Sequence, residues 1–172
     1  MRYYVDASVL IALGQDGKLD LLTVLDDPIV LPAVEAEVVD EPEATTLGRF
    51  IERSATLGQK PANDALERAR EILDERGLNG DLALIAAVLE EREDVGVVAD
   101  DRRVRTITEG LGASVTGTIG VIVNNVENDR LDATEAKRLL RTIDGDGFHM
   151  TSTLRERADE LIEATASDRN GS

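Results

Sequence analysis

Apolar residues follow two alternating rhythms along the chain. Short runs closed by an acid or a proline read as strands, and longer stretches at three- and four-residue spacing read as helices. Tyr3-Tyr4-Val5 predicts a strand ending on Asp6, and Ser8 to Leu13 a helix stopped by Gly14. A second short helix is predicted over Leu19 to Leu25, then a strand at Ile29-Val30-Leu31, then a helix opened by Pro32 and running through Val38. Residues 40–48 hold proline, threonine and glycine and predict a loop, followed by a helix over Leu47 to Leu57 that Gly58 ends. Asn63-Asp64 caps a helix predicted over Ala65 to Arg76. Asn79-Gly80-Asp81 starts another, with Leu82, Leu84, Ile85, Val88 and Leu89 on one buried face. Val95 to Ala99 reads as a buried strand ending in Asp100-Asp101, Arg102 to Leu111 as a helix, and Ala113 to Thr116 as a fourth strand. Gly117-Thr118-Ile119-Gly120 turns into a helix through Val126, and two amphipathic helices follow near Ala133 to Ile143 and Thr151 to Ala164. Strands alternating with helices predict an α/β fold around a mostly parallel sheet of four to five strands. One domain is expected over residues 1–165, with 166–172 as a polar, disordered tail.

Composition narrows the chemistry. The chain has no cysteine and a single histidine, His149, so thiolate sites, multi-histidine zinc sites and cysteine nucleophiles are excluded. Any metal has to be a hard cation on oxygen ligands. No stretch approaches the ~18 apolar residues of a membrane span, so a soluble, cytoplasmic protein is expected. The formal net charge of −16 would ordinarily argue against a nucleic-acid partner. Lysine, however, occurs only at 18, 60 and 137, and acids occupy nearly every polar helix face. That habit fits a high-salt, halophilic cytoplasm, where screening shortens to ~3 Å at 1 M and the objection loses its force.

Ligands of such sheets gather beyond the carboxyl ends of the strands. Asp6 and Asp100-Asp101 each close a predicted strand, Asp81 opens a helix near the same rim, and Glu37 lies within two turns of the second strand's end. Carboxylates brought together repel, and a divalent cation removes that cost. Mg²⁺ or Mn²⁺ could then polarise a phosphoryl oxygen and activate water. Each position also has a plainer use. Asp6 and Asp81 suit helix caps, Glu37 a solvated face, and Asp100-Asp101 a turn. Ser8 is either a cap or a group that orients Asp6. Thr116 and Thr118 flank a glycine turn, and Arg102, Arg103 and Arg105 are the densest basic cluster, suited to RNA phosphates. His149 is given no role.

Four blocks resemble the PIN-domain nucleases. These are Val5-Asp6-Ala7-Ser8-Val9-Leu10-Ile11, Pro32-Ala33-Val34-Glu35-Ala36-Glu37-Val38, Gly80-Asp81-Leu82-Ala83-Leu84-Ile85-Ala86-Ala87 and Val98-Ala99-Asp100-Asp101-Arg102-Arg103-Val104. Val115-Thr116-Gly117-Thr118-Ile119-Gly120-Val121 and Gly147-Phe148-His149-Met150 resemble a prokaryotic, toxin-like subgroup, and the charge pattern adds a halophilic archaeon as the expected source. The resemblance implies a three-layer α/β/α fold and a metal-dependent endoribonuclease. It implies that Asp6, Glu37, Asp81 and one of Asp100 or Asp101 hold one or two Mg²⁺ or Mn²⁺ ions, with Asp101 favoured as catalytic and Asp100 left open. Glu35 stands beside Glu37 as an alternative. RNA is the implied substrate, an antitoxin protein the implied partner of toxin-type members, and a homodimer the expected assembly. Two rivals remain to be weighed. A receiver domain would want an acid pair after the first strand and a lysine after the last, and neither is present. A PIN module that binds RNA or protein without cutting keeps the same fold.

Overall fold

In a computed structural model, which describes residues 1–91 and 94–170, five short strands form one parallel sheet. They are β1 (Arg2–Val5), β2 (Asp27–Val30), β3 (Thr56–Leu57), β4 (Val95–Val98) and β5 (Ser114–Thr116), in the spatial order β3-β2-β1-β4-β5. β1 and β4 lie at the centre and are apolar because both faces of a parallel sheet are covered. Tyr3 pairs with Gly96 in register, and its ring occupies the space a side chain at Gly96 would need. That explains a glycine in the middle of a buried strand.

The helices are α1 (Ala7–Gly14), α2 (Pro32–Glu35), α3 (Glu43–Arg53), α4 (Asn63–Leu73), α5 (Gly80–Glu90), α6 (Arg102–Gly110), α7 (Thr118–Glu127), α8 (Ala133–Ile143) and α9 (Ser152–Asn170). A 3₁₀ turn spans Leu19–Val24. One group of helices packs together around α1, α3, α7, α8 and α9, and another around α2, α4, α5 and α6. The two groups flank the sheet, giving the expected α/β/α arrangement.

Several details differ from the pattern-based expectation, each for a physical reason. α5 buries two faces rather than one. Ala83, Leu84, Ala87 and Val88 join the main core, while Leu82, Ile85 and Ala86 pack with Ala65, Leu66, Ala69 and Leu73 of α4 in a second cluster. α3 begins at Glu43, inside the predicted loop, where Glu41 accepts hydrogen bonds from the Thr45 amide and hydroxyl. The helix expected through Leu57 ends at Arg53, and Thr56–Leu57 pairs with β2 as an edge strand. α2 is a single turn, so Glu37 lies just past its end and not on it. α4 has no side-chain cap from Asn63 or Asp64 and stops at Leu73, three residues early, with Asp74 in the left-handed region at φ 54°. α9 continues to Asn170, so residues 166–170 are helical where a disordered tail is expected; Gly171 and Ser172 lie outside the described residues.

Candidate active site: an acidic rim

Asp6 follows β1 and is only 3% exposed. Its amide donates to the Val98 carbonyl at 2.9 Å, which ties the acid to the end of β4. Its carboxylate caps α1, accepting from the Ser8 amide at 3.3 Å and from the Ser8 hydroxyl. Capping and orientation by Ser8 are therefore both true of Asp6. A carboxylate buried this deeply is fixed in direction before any ligand arrives.

Asp81 is different. The cap of α5 is Asn79, whose Oδ1 accepts from the Leu82 amide at 2.8 Å, so the capping use read for Asp81 belongs to its neighbour. Asp81 sits half-buried in the first turn with its pKa pushed up to about 6. Burial is the main cause, followed by repulsion from Asp6, Asp101, Glu37 and Glu75. Four acids from separate parts of the chain thus bear on one carboxylate.

Glu37 reaches the start of the same helix, where its Oε1 accepts from the Gly80 amide at 2.6 Å. A β-carbon at Gly80 would sit 2.9 Å from Oε2, so glycine is what lets Glu37 approach. Glu35, the alternative ligand, is exposed on α2.

The adjacent aspartates divide their work. Asp101 is exposed and caps α6 through the amides of Arg103 at 2.8 Å and Val104 at 3.0 Å, yet it still contributes to the repulsion on Asp81. Asp100 is more enclosed. Thr118 donates to it twice, from its amide at 2.9 Å and its hydroxyl at 2.6 Å. Burial raises the Asp100 pKa and Asp6 adds to the rise, while the Thr118 bonds and Arg105 pull it back. Thr118 is thus committed to Asp100 through both its amide and its hydroxyl.

Gly117 makes that contact possible. A β-carbon there would lie 2.5 Å from Asp100 Oδ1 and 3.2 Å from the Ala99 carbonyl. Its backbone is extended, so alanine meets no conformational penalty and would ordinarily be neutral or stabilising. Gly117→Ala is instead expected to destabilise the protein by about 1–3 kcal/mol through this overlap. The check is a urea midpoint; a midpoint equal to wild type would show that Asp100 is free to move aside.

The basic cluster is mostly occupied. Arg103 pairs with Glu75 at 2.8 Å and also donates to the Leu73 carbonyl, and Arg105 donates to the Ala99 carbonyl at 2.9 Å. Arg102 is exposed, and its guanidinium makes no hydrogen bond or ion pair with the described residues. Glu75 has no place in the sequence pattern. It follows α4, five residues before the Gly80 block, and reaches the site through Asn79 and Arg103, which together hold its pKa below the usual range.

Among the described residues, no group of three or more acidic or histidine side chains is drawn together closely enough to hold one metal ion. The acids ring a shared space without closing on it. Another hollow, about 610 Å³, lies elsewhere, between Tyr4, Thr56, Lys60 and Glu91, where Glu91 is already engaged by Arg2 and Tyr4. The rim is the better candidate because Asp81 there has only burial and other acids acting on it.

A family model described as PIN domain matches residues 3–164, nearly the whole chain and all four acidic blocks. The chain belongs to the PIN-domain family. No curated protein and no solved structure matches it. PIN domains are generally nucleases that use divalent metals, and this PIN domain carries an acid at each block of the expected pattern. Among the described residues, no helix is long and apolar enough to cross a membrane.

Proposed function

We propose that this PIN domain is an endoribonuclease that hydrolyses RNA phosphodiester bonds with Mg²⁺ or Mn²⁺. Asp6, Glu37, Asp81 and one or both of Asp100 and Asp101 would hold one or two ions. The observation that carries this reading is Asp81. A carboxylate pushed to about 6, with only burial and other acids acting on it, is a site short of positive charge. All the donors are oxygens, which is the set a hard divalent cation takes. When bound, the ion would polarise the phosphoryl group and lower the pKa of a bound water.

The chain's own residues hold the ligands in place. Ser8 orients Asp6, Thr118 orients Asp100, and Asn79 satisfies the helix terminus so that Asp81 stays free. Arg102 is available to an RNA phosphate, whereas Arg103 and Arg105 would first have to leave their protein partners. The finer parts of the reading rest on the toxin-like motifs and the charge pattern. The enzyme acts in a halophilic cytoplasm as a homodimer, as the toxin of a toxin–antitoxin pair whose partner covers the acidic rim. The open spacing of the acids favours one second reading, a PIN module that binds RNA or protein without cutting.

Labelled RNA incubated in strong salt with Mn²⁺ or with EDTA separates the two. Cleavage that leaves a 5′-phosphate, needs the metal and is lost in Asp6→Asn is the expected result. Folded, partner-free protein that leaves every RNA intact would favour the binding module.

A further inference from the structure

Two hollows share Asp100, just past the end of β4. One, about 450 Å³, is lined by Arg105, Thr116, Gly117, Gly120 and Arg157 among others. The other, about 410 Å³, is lined by Ser8, Ile11, Gln15 and Asp146 among others. Both share Asp100, Phe148 and Leu154, so they are two halves of one groove that passes the acidic rim, with Phe148 and Leu154 as the ridge between them.

The ridge is held in place. Asp144 accepts from the Met150 amide at 2.6 Å and pairs with Arg155, which fixes both ends of the turn that carries Phe148. Gly147 adopts φ 116° in that turn, a conformation that L side chains rarely adopt. Phe148 is one of only four aromatic residues in the chain, and it is half-buried at the groove wall. Leu154 is left 42% exposed beside it.

The charge is reversed locally. The chain carries −16, yet the larger hollow is lined by Arg105 and Arg157 against Asp100 alone, and over both hollows these two arginines face only Asp100 and Asp146, so the basic residues gather at one end of the groove. Arg157 is exposed, and its guanidinium makes no hydrogen bond or ion pair with the described residues. A free guanidinium and an aromatic ring lining one hollow with Asp100 match a single nucleic-acid strand, whose phosphates want the cation and whose bases want the ring.

We infer that this groove is the track for single-stranded RNA, with a base stacked on Phe148 and a neighbouring phosphate held by Arg157. The inference rests on the ribonuclease reading for the identity of the strand. It makes the turn at 144–148 and the start of α9 part of substrate binding, and the RNA path runs across Asp100 toward Asp6.

The test measures binding apart from cleavage. Asp81→Asn protein is titrated against a labelled single-stranded oligoribonucleotide with Mn²⁺, over a range of salt. Adding Arg157→Gln is expected to lower the slope of log affinity against log salt by about 0.7, the loss of one phosphate contact. Adding Phe148→Leu, which keeps an apolar side chain for folding, is expected to lower affinity about tenfold at unchanged slope, and Phe148→Tyr to restore it. Arg68→Ala, exposed on α4, serves as the charge control. Unchanged affinity and slope in both groove variants overturns the track, and so does an absence of RNA binding. Binding that depends on both residues, with no cleavage by wild type, keeps the groove and removes the hydrolytic reading.

Discussion

Replacing Asp81 with asparagine is expected to abolish metal-dependent RNA cleavage while making the metal-free protein more stable above pH 6. Groups that merely orient a metal ligand cost about 10–100-fold when removed. Loss of a ligand itself is therefore expected to exceed about 10²-fold. The stability gain follows from the environment of Asp81. Its folded pKa lies near 6 against an ordinary 3.8, so the folded chain resists its ionisation. Between those values the folded state holds a proton that the unfolded chain has released. The contribution of Asp81 to stability is thus greatest below about pH 4 and is lost as pH rises through 6.

The size of the effect is limited. The rise to about 6 corresponds to at most about 3 kcal/mol, and partial exposure cuts this to about 1–2 kcal/mol. A negative charge in the first turn of a helix is worth about 0.3–1 kcal/mol, which asparagine gives up. The repulsion wins by a narrow margin, roughly 1 kcal/mol in favour of Asp81→Asn at pH 7.5. Strong salt weakens the repulsion but not the burial, which is the larger cause, so the gain persists. Urea midpoints in EDTA at pH 7.5 and pH 4 measure it, and the two proteins should converge at the lower pH. Mn²⁺ should then reverse the order at pH 7.5, because about 100-fold excess over Kd adds about 2.7 kcal/mol to wild type alone. A variant less stable than wild type in EDTA at pH 7.5 would mean that the acids do not crowd Asp81.

Much of the sheet is legible in the sequence because its central strands are short, mostly apolar runs closed by acids. Tyr3-Tyr4-Val5 with Asp6 and Val95 to Ala99 with Asp100-Asp101 carry both signals at once. β3 is hidden for the opposite reason. It has two residues, both exposed, and its pairing with β2 is a tertiary fact with no alternation to announce it. The first halves of helices are legible where a cap is present, as at Asn79 and Asp132. They fail at α3, whose cap position is Pro42, a residue with no side-chain acceptor, so that Glu41 one residue earlier takes the Thr45 amide instead. At the rim, the motif blocks mark the acids, but their supports depend on geometry. Thr118 lies 18 residues from Asp100, and Glu75 meets Arg103 across 28 residues. The groove across Asp100 is hidden in the same way, since it joins Ser8 to Arg157 through residues that share no periodicity.

Asn125→Asp is expected to cost the fold about 4 kcal/mol or more at pH 8. Asn125 on α7 is fully buried. Its amide nitrogen donates to the Leu21 carbonyl at 2.9 Å and the Val121 carbonyl at 2.8 Å, so it bolts the 3₁₀ turn to α7 across 104 residues. Its Oδ1 is buried without a partner. An ionised aspartate would place a charge there, remove both donors and leave the Leu21 oxygen facing another acceptor. Stranding buried polar groups costs about 1–3 kcal/mol each, and an unpaired buried charge costs more. Asn125→Leu, which loses the bonds but adds no charge, should cost less, about 1–3 kcal/mol. Acid separates the two variants. Below its folded pKa the new carboxyl becomes neutral and can donate one hydrogen bond, so the aspartate variant should gain stability relative to the leucine variant between pH 8 and pH 5. Thermal midpoints at the two pH values measure this. Equal, pH-independent losses in both variants would mean that the site admits water and that the two carbonyl bonds, not the charge, set the cost.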